Sequence, residues 1–127
     1  MPEKSPSLPQ VFKASWFAKA ARKAGISDTA LCELAKQISS GQVDDLGGGV
    51  YKARANKNLH RVILLAKVGR YWVFQYLFAK SDRANIALDE LVQFRELAKA
   101  YAKLTDVQLQ KLIDEKEFVE ICHGNQS

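Results

Sequence analysis

The spacing of apolar positions predicts helices at both ends of the chain and strands between them. Near the start, apolar side chains recur every three or four positions, as in amphipathic helices. The first predicted helix runs from Ser15 to Ala24 and stops at Gly25, a residue that suits a left-handed helix end. The second begins at the N-cap candidates Ser27 and Asp28 and ends by Gly41. We expect these two helices to form a hairpin.

After residue 49 the period of the pattern falls from about four to two, which indicates strands. The predicted strands are VYKARA (50–55), HRVILLAK (60–67) and YWVFQYLF (71–78). The spacer from Lys67 to Arg70 is tight enough to make the last two an antiparallel β-hairpin. Val11–Ala14 and Glu117–Ile121 are predicted as short additional strands.

Helical spacing returns between Leu88 and Leu104, and Thr105 with Gln108 forms a capping box that starts another helix. The elements predict an α+β fold in which an N-terminal helical hairpin packs on a small antiparallel β-sheet, with C-terminal helices. We expect one domain over residues 11–123, a flexible tail at 1–10 and a polar end at 124–127.

Composition narrows the class of protein. The 127 residues are 47% apolar and 26% charged, as in folded proteins, and no apolar run is long enough to span a bilayer. The first ten residues hold three prolines and no apolar segment of a secretory signal, so we expect a cytoplasmic protein without a membrane partner. Cys32 and Cys122 belong to no CxxC pair, which predicts two free thiols and neither a zinc site nor a disulfide.

Positive charge is concentrated in the first two thirds of the chain. Residues 1–80 contain 13 Lys and Arg against 5 Asp and Glu, whereas residues 81–127 contain 6 against 9. This segregation favours an anionic partner, with nucleic acid first among the candidates, although a merely basic surface is an open alternative.

Four cations on the predicted strands are candidates for binding phosphate. Alternation along a strand puts Lys52 and Arg54 on one face, and a sheet packed on helices on one side only would leave them on its open face. Arg61 begins the next strand and Lys80 ends the third, so all four converge if the strands are neighbours in order. Cations placed for solubility or edge protection are the alternative interpretation.

Such a set of cations suits chemistry on a phosphodiester, because fixed positive charge stabilises the charge that grows on the phosphate oxygens. In RNA the 2′-hydroxyl supplies the nucleophile, so neither a metal nor another cofactor is expected. Histidine is the residue type suited to acid–base work at neutral pH, which makes His60 a candidate, although a turn histidine without a catalytic role is the alternative. The glycines 47–49 precede a strand, not a helix, so they are not a phosphate-binding loop.

The order and wording of these segments resemble the RelE/ParE superfamily of toxins from bacterial toxin–antitoxin systems, and especially a RelE/HigB-like branch. The resemblance covers residues 11–123. It is carried by DxxL near Asp28, by LGGGVYKAR at 46–54 and by FAKSDRANI at 78–86, which is similar to the F-x-K-x-x-R-x-N-I signature of the branch.

The resemblance implies a small α+β toxin that cuts messenger RNA on the ribosome and is neutralised by a cognate antitoxin, expected here as a helix-turn-helix protein encoded next door. Lys52, Arg54, Arg61 and Lys80 match by position the lysines and arginines that bind and polarise the scissile phosphate. Lys57 and His60 in the preceding loop, and Arg83 after the last strand, would be further RNA contacts.

The sequence departs from the branch in two places. The segment ANKNLHR at 55–61 keeps the final arginine of a glycine-rich GKSGGYR approach but loses its glycines, which predicts a shorter and stiffer loop. Asn85-Ile86-Ala87 stands where RelE-like enzymes use a tyrosine, so His60, Lys52 or a more distant tyrosine is left as the acid or base.

Two other functions stay open from the sequence. One is a ParE-like toxin that poisons DNA gyrase and has no nuclease activity. The other is a module of the same fold that binds RNA or protein without catalysis.

Overall fold

The computed structural model describes residues 10–67 and 69–122 and contains six strands and four helices in that part of the chain. The strands are β1 (Gln10–Ala14), β2 (Asp44–Gly47), β3 (Val50–Ala55), β4 (His60–Lys67), β5 (Tyr71–Ala79) and β6 (Phe118–Ile121). The helices are α1 (Ser15–Ala24), α2 (Asp28–Ser39), α3 (Leu88–Ala102) and α4 (Asp106–Asp114). The predicted α+β class is confirmed.

All six strands form one sheet in the order β2-β3-β4-β5-β1-β6. The predicted hairpin of β4 and β5 is antiparallel, and β3, β4 and β5 are neighbours in order, as expected. The prediction of a wholly antiparallel sheet is wrong, because β1 runs parallel to β5. The connection from β1 to β5 is long and contains α1 and α2, which permits parallel pairing.

The sheet is covered by helices on both faces, so the expected open face is wrong. On one face, side chains of α1 and α2, among them Phe17 and Leu31, pack on a core that includes Leu64 and Phe74. On the other face, residues of α3 and α4 pack on two clusters, one around Ile63 and one around Phe12 and Val73. The apolar residues of β4 and β5 at both parities are therefore buried on both faces. The pairing of α1 with α2 as a hairpin stays a prediction.

The helix ends follow the local signals in the sequence. Gly25 ends α1 in the left-handed conformation, with φ of 75°. The Ser27 side chain caps α2 by accepting a hydrogen bond from the backbone N–H of Ala30 at 3.1 Å. Thr105 and Gln108 form the predicted capping box at the start of α4.

Strand β2 was not predicted, because its sequence is short and polar. The three glycines 47–49 all have positive φ and fold β2 back on β3, so that Asp44 lies opposite Lys52. A Cβ atom on Gly48 would lie 2.8 Å from Cγ of Arg95, a residue of α3 that packs over this turn. Arg95 also donates a hydrogen bond to the carbonyl oxygen of Gly47 at 3.3 Å. The glycines thus form the turn of a β-hairpin beneath α3.

Cys32 and Cys122 form a disulfide, so the prediction of two free thiols is wrong. The residues are 90 positions apart in sequence, which gave no local signal, yet their Cα atoms lie 5.4 Å apart. They meet because Leu31 of α2 and Ile121 of β6 belong to the same buried cluster. The bond joins α2 to the end of the sheet.

An ion pair fixes the connection between β5 and α3. The Arg83 guanidinium donates to both carboxylate oxygens of Glu90, on the first turn of α3. Glu90 also accepts a hydrogen bond from the backbone N–H of Ala87 at 2.7 Å. The hydrogen bond from Arg83, followed by that from Ala87, holds the pKa of Glu90 below its ordinary value. Residues 83–87 are thereby held between the strand end and the helix.

No helix in the described ranges 10–67 and 69–122 combines the length and the hydrophobicity needed to cross a bilayer. The predicted tail, apart from Gln10, and the predicted polar end at 124–127 lie outside the described residues.

Breaking the disulfide should lower the stability of the protein. In the loop-closure account, a bond that closes a loop of 90 residues stabilises the folded state by about 4–5 kcal/mol. The free energy of unfolding measured in urea should therefore be lower for Cys122→Ser than for the oxidised protein, by up to about 4–5 kcal/mol. The double variant Cys32→Ser/Cys122→Ser should not respond to a reducing agent. Two titratable thiols in the folded, unreduced protein would contradict the structure.

The substitution Glu90→Gln should destabilise the protein at neutral pH and have little effect in acid. A carboxyl group with a lowered pKa stabilises the folded state above its ordinary pKa of 4.5, and this contribution is lost as the pH falls through the lower folded value. Urea midpoints of the variant and the original protein should differ at pH 7 and converge in acid, once the pH falls below the lowered folded-state pKa of Glu90. Glu96→Gln, at an exposed pair on the same helix, is the matched control and should change little at either pH. A loss that is equal at both pH values would show that charge pairing is not the cause.

Candidate functional site

The pairing of β3 with β4 places Arg54 directly opposite Arg61. Opposed residues of antiparallel strands point to the same face, with Cβ atoms about 4.5–5.5 Å apart. Lys52 lies two residues from Arg54 and opposite Ile63, so it shares that face. The structure therefore brings together three of the four cations predicted to bind the scissile phosphate. They lie at the end of the face that α3 covers.

These three cations are not neutralised by carboxylates of the described residues. None of them forms an ion pair there, although Lys13, Arg70 and Arg83 do. Lys52 donates to the Asn85 side-chain oxygen at 3.3 Å, and Arg61 donates to the backbone and side-chain oxygens of Asn58 at 3.2 and 3.1 Å.

Like charges directly opposite each other destabilise a sheet. The Arg54–Arg61 pair is therefore a feature that an anion would relieve. Asp44 is opposite Lys52 in register, but no ion pair joins the two side chains.

Lys80 and Lys57 lie on the rim of this site. The backbone N–H of Lys80 donates to the Leu59 carbonyl oxygen at 2.9 Å, which places the residue after β5 beside the turn between β3 and β4. Lys57 is in that turn, and both lysine side chains are exposed. The fourth predicted phosphate ligand thus lies at the Arg61 end of the site.

The turn between β3 and β4 is short and tightly folded, as predicted from its lack of glycine. Residues Asn56, Lys57 and Asn58 have φ values of 54°, 55° and 71°. Asparagine tolerates this left-handed region, whereas for lysine it costs roughly 1–2 kcal/mol. The backbone N–H of Leu59 closes the turn on the Asn56 carbonyl oxygen at 3.0 Å. The turn presents Lys57 next to Asn58, the residue to which the Arg61 guanidinium donates hydrogen bonds.

His60 does not join the cations. It lies opposite Ala55 and Ala79, whose positions alternate with those of Arg54 and Phe78, so its ring is on the face that α2 covers. Its Nδ1 atom is 3.1 Å from the side-chain nitrogen of Asn56. Adjacent residues in a strand point to opposite faces, and for this reason His60 and Arg61 are separated.

Arg83 is near the site but is engaged by other residues. Its guanidinium lies 5.6 Å from the centre of the Phe78 ring, and it donates to the Tyr76 hydroxyl at 3.4 Å and to Glu90. The hydrogen bond to Glu90 is the main cause of its raised pKa. Arg83 is therefore placed to hold the connection around Asn85 in position.

The sequence did not single out Tyr76 and Asn85 as site residues. Tyr76 lies opposite Ile63 on the face of Lys52, and Asn85 contacts Lys52 directly. A register shift between Phe74 and Tyr76 puts these two residues on opposite faces, so alternation along β5 did not assign Tyr76 to this face. Nothing local indicated that residue 85 would fold back onto β3. Tyr51 lies on the other face, where burial, followed by the Asp45 carboxylate, raises the pKa of its hydroxyl.

Two surface grooves meet at Arg54. One has a volume of about 480 Å³ and is bounded by α2 and by residues 54–58. The other, of about 360 Å³, is lined by Lys52, Arg54 and Asp44. Both are lined by Gln37 as well as Arg54, so the two grooves adjoin on the α2 side of the sheet. Arg54 is therefore open to this side, whereas Arg61 lines neither groove.

Comparison with known proteins identifies the family. Residues 9–121 match the family model described as the RelE toxin of the RelE/RelB toxin–antitoxin system. No curated protein matches the chain significantly. The matched range includes every strand and helix described above, and toxins of such systems act with an antitoxin partner. The resemblance to the RelE/ParE superfamily is confirmed, and the chain belongs to the RelE toxin family.

Proposed function

We propose that this toxin is an endoribonuclease that cleaves messenger RNA on the ribosome and so inhibits translation. The observation that carries the proposal is the cross-strand pair of Arg54 and Arg61, with Lys52 on the same face and no ion pair to a described carboxylate. Uncompensated cations that are fixed on neighbouring strands are suited to a phosphate whose negative charge increases during the reaction.

The proposed reaction is an internal transfer at phosphorus. The ribose 2′-oxygen attacks the adjacent phosphate, the bond from phosphorus to the 5′-oxygen breaks, and a 2′,3′-cyclic phosphate and a 5′-hydroxyl form. One proton leaves the 2′-hydroxyl and one is delivered to the 5′-oxygen, so protons balance. Catalysis then consists of orienting the RNA, stabilising charge on the non-bridging oxygens and assisting proton transfer.

The residue types suggest separate roles for the three cations. The planar guanidinium groups of Arg54 and Arg61 suit bidentate contacts with the phosphate, and arginine does not give up its proton in proteins. A lysine ammonium, unlike a guanidinium, is able to transfer a proton, so we assign to Lys52 the delivery of the proton to the leaving 5′-oxygen. The exposed Lys57 and Lys80 would bind neighbouring phosphates, and Arg83 would position the segment that contacts Lys52.

The proposed partners are the messenger RNA, the ribosome and a helix-turn-helix antitoxin. Membership of a toxin–antitoxin family implies an antitoxin of some kind. Its class is a proposal that the reading frame adjacent to this gene would test.

Alanine at Lys52, Arg54 or Arg61 should reduce cleavage by about 100-fold or more, because each substitution removes charge stabilisation from the transition state. Purified protein is incubated with ribosomes that carry a defined messenger RNA, and the cut ends are mapped by primer extension. Loss of a phosphate contact should also reduce the salt dependence of RNA binding by about one unit of slope per cation.

Arg70→Ala is the matched control. Arg70 is an exposed arginine in the turn between β4 and β5, at the end of these strands away from the site, and it pairs with Asp106 of α4. This variant should retain cleavage. Intact messenger RNA together with a DNA-damage response on induction would contradict the nuclease proposal and favour a gyrase poison. RNA binding without turnover would favour a non-catalytic module.

A further inference from the structure

Trp16 is an exposed aromatic residue beside the cation site, and the proposed cleavage reaction does not use it. The residue is the second of α1 and is 51% exposed, whereas its neighbour Phe17 is completely buried. Large apolar side chains at single exposed positions are common, but this indole is also ordered by a specific partner. Its ring stacks on that of Tyr76, with centroids 5.1 Å apart and planes inclined by 25°.

Tyr76 connects Trp16 to the site. Lys52, Ile63 and Tyr76 lie opposite one another on β3, β4 and β5, so Tyr76 is about 10 Å from Lys52 across the sheet. The Tyr76 hydroxyl accepts a hydrogen bond from Arg83 at 3.4 Å, and its ring packs against Phe94 of α3 at 5.7 Å. The ring beneath the indole is therefore held in place from two sides.

Positive charge continues from Trp16 along α1. Lys19 and Lys23 follow at three and seven residues, which places them on the same face of the helix as Trp16. Both are exposed, and neither forms an ion pair within the described part of the chain. An aromatic ring that is flanked by cations is the arrangement that binds single-stranded nucleic acid, in which bases stack and phosphates meet positive charge.

From this arrangement we infer that Trp16, supported by Tyr76, is a stacking platform for an unpaired RNA base a few nucleotides away from the scissile phosphate. The inference rests on the proposed function, since it extends the same RNA path. A single strand bound at Arg54 and Arg61 would pass the end of β5 and reach the indole after about 15 Å. Lys19 and Lys23 would then contact the next phosphates. Stacking tolerates any base, so Trp16 contributes affinity and register, not sequence recognition.

The test measures binding of a short single-stranded RNA whose 2′-oxygens are methylated, because such an RNA cannot supply the nucleophile and stays intact. In a Trp72→Phe background, Trp16 is the only tryptophan, and its fluorescence should be quenched when a base stacks on it. Trp16→Leu should weaken binding about tenfold, the effect expected for loss of one base–aromatic stack. Trp16→Phe should retain most of the affinity, and the salt slope should not change in either variant.

The same oligonucleotide without bases should bind the original protein and Trp16→Leu equally. Val107→Ala is the matched control, because Val107 is an 80% exposed apolar residue on α4, and it should bind RNA normally. Equal loss of affinity for the base-free and complete RNA would overturn the inference, as would an unchanged affinity of Trp16→Leu. Normal RNA binding with loss of antitoxin binding would also overturn it, by assigning the surface to a protein partner.

The result of this binding test does not depend on the result of the cleavage test of the proposed function. Quenching of Trp16 fluorescence in the Trp72→Phe protein, together with tenfold weaker binding by Trp16→Leu, would support the stacking platform even if ribosome-bound messenger RNA is never cut. Cleavage that depends on Arg54 and Arg61 but occurs without any base stacking on Trp16 would support the nuclease and overturn the platform.

Discussion

The structure depends on the burial of β4 from both sides. Residues 62–65 of this strand are completely buried, and their side chains alternate between the core under α1 and α2 and the core under α3. Because a slip of one residue would exchange the two sets, burial fixes the register of β4 with both β3 and β5. The position of Arg54 opposite Arg61 follows from this register. Apolar contacts of β4 thus set the geometry of the charged site, although the charged side chains do not belong to the buried clusters.

The parts of the fold that rest on local patterns could be predicted from the sequence. Alternation gave β3, β4 and β5, and helical spacing with Gly25, Ser27 and Thr105 gave the bounds of the helices. Strand β2 was missed because two aspartates and a glycine carry no strand pattern, and its pairing depends on the following turn. The second helical layer was missed because the apolar faces of α3 and α4 do not specify which surface they cover. The disulfide was missed because only tertiary packing brings Cys32 near Cys122.

The candidate site could also be predicted only where it rests on local patterns. Alternation was sufficient to align Lys52 with Arg54, and the neighbouring strands placed Arg61 beside them. The same alternation puts His60 and Arg61 on opposite faces. The pairing of Arg83 with Glu90 depended on how the chain after β5 folds, which no repeating pattern encodes. The proposed role of Trp16 depends on Tyr76, from which it is separated by sixty residues, so no local pattern indicated it.

The bond between Cys32 and Cys122 closes the chain into a covalent ring that contains β2 through β6. The exposed turn of residues 56–59, with its three left-handed residues and its lysine, lies inside this ring. Exposed loop tips are preferred points of attack by proteases. A cut there would interrupt the backbone beside the opposed arginines, but the two pieces would remain one molecule. The strands on either side of the cut would stay joined through the sheet and through sulfur.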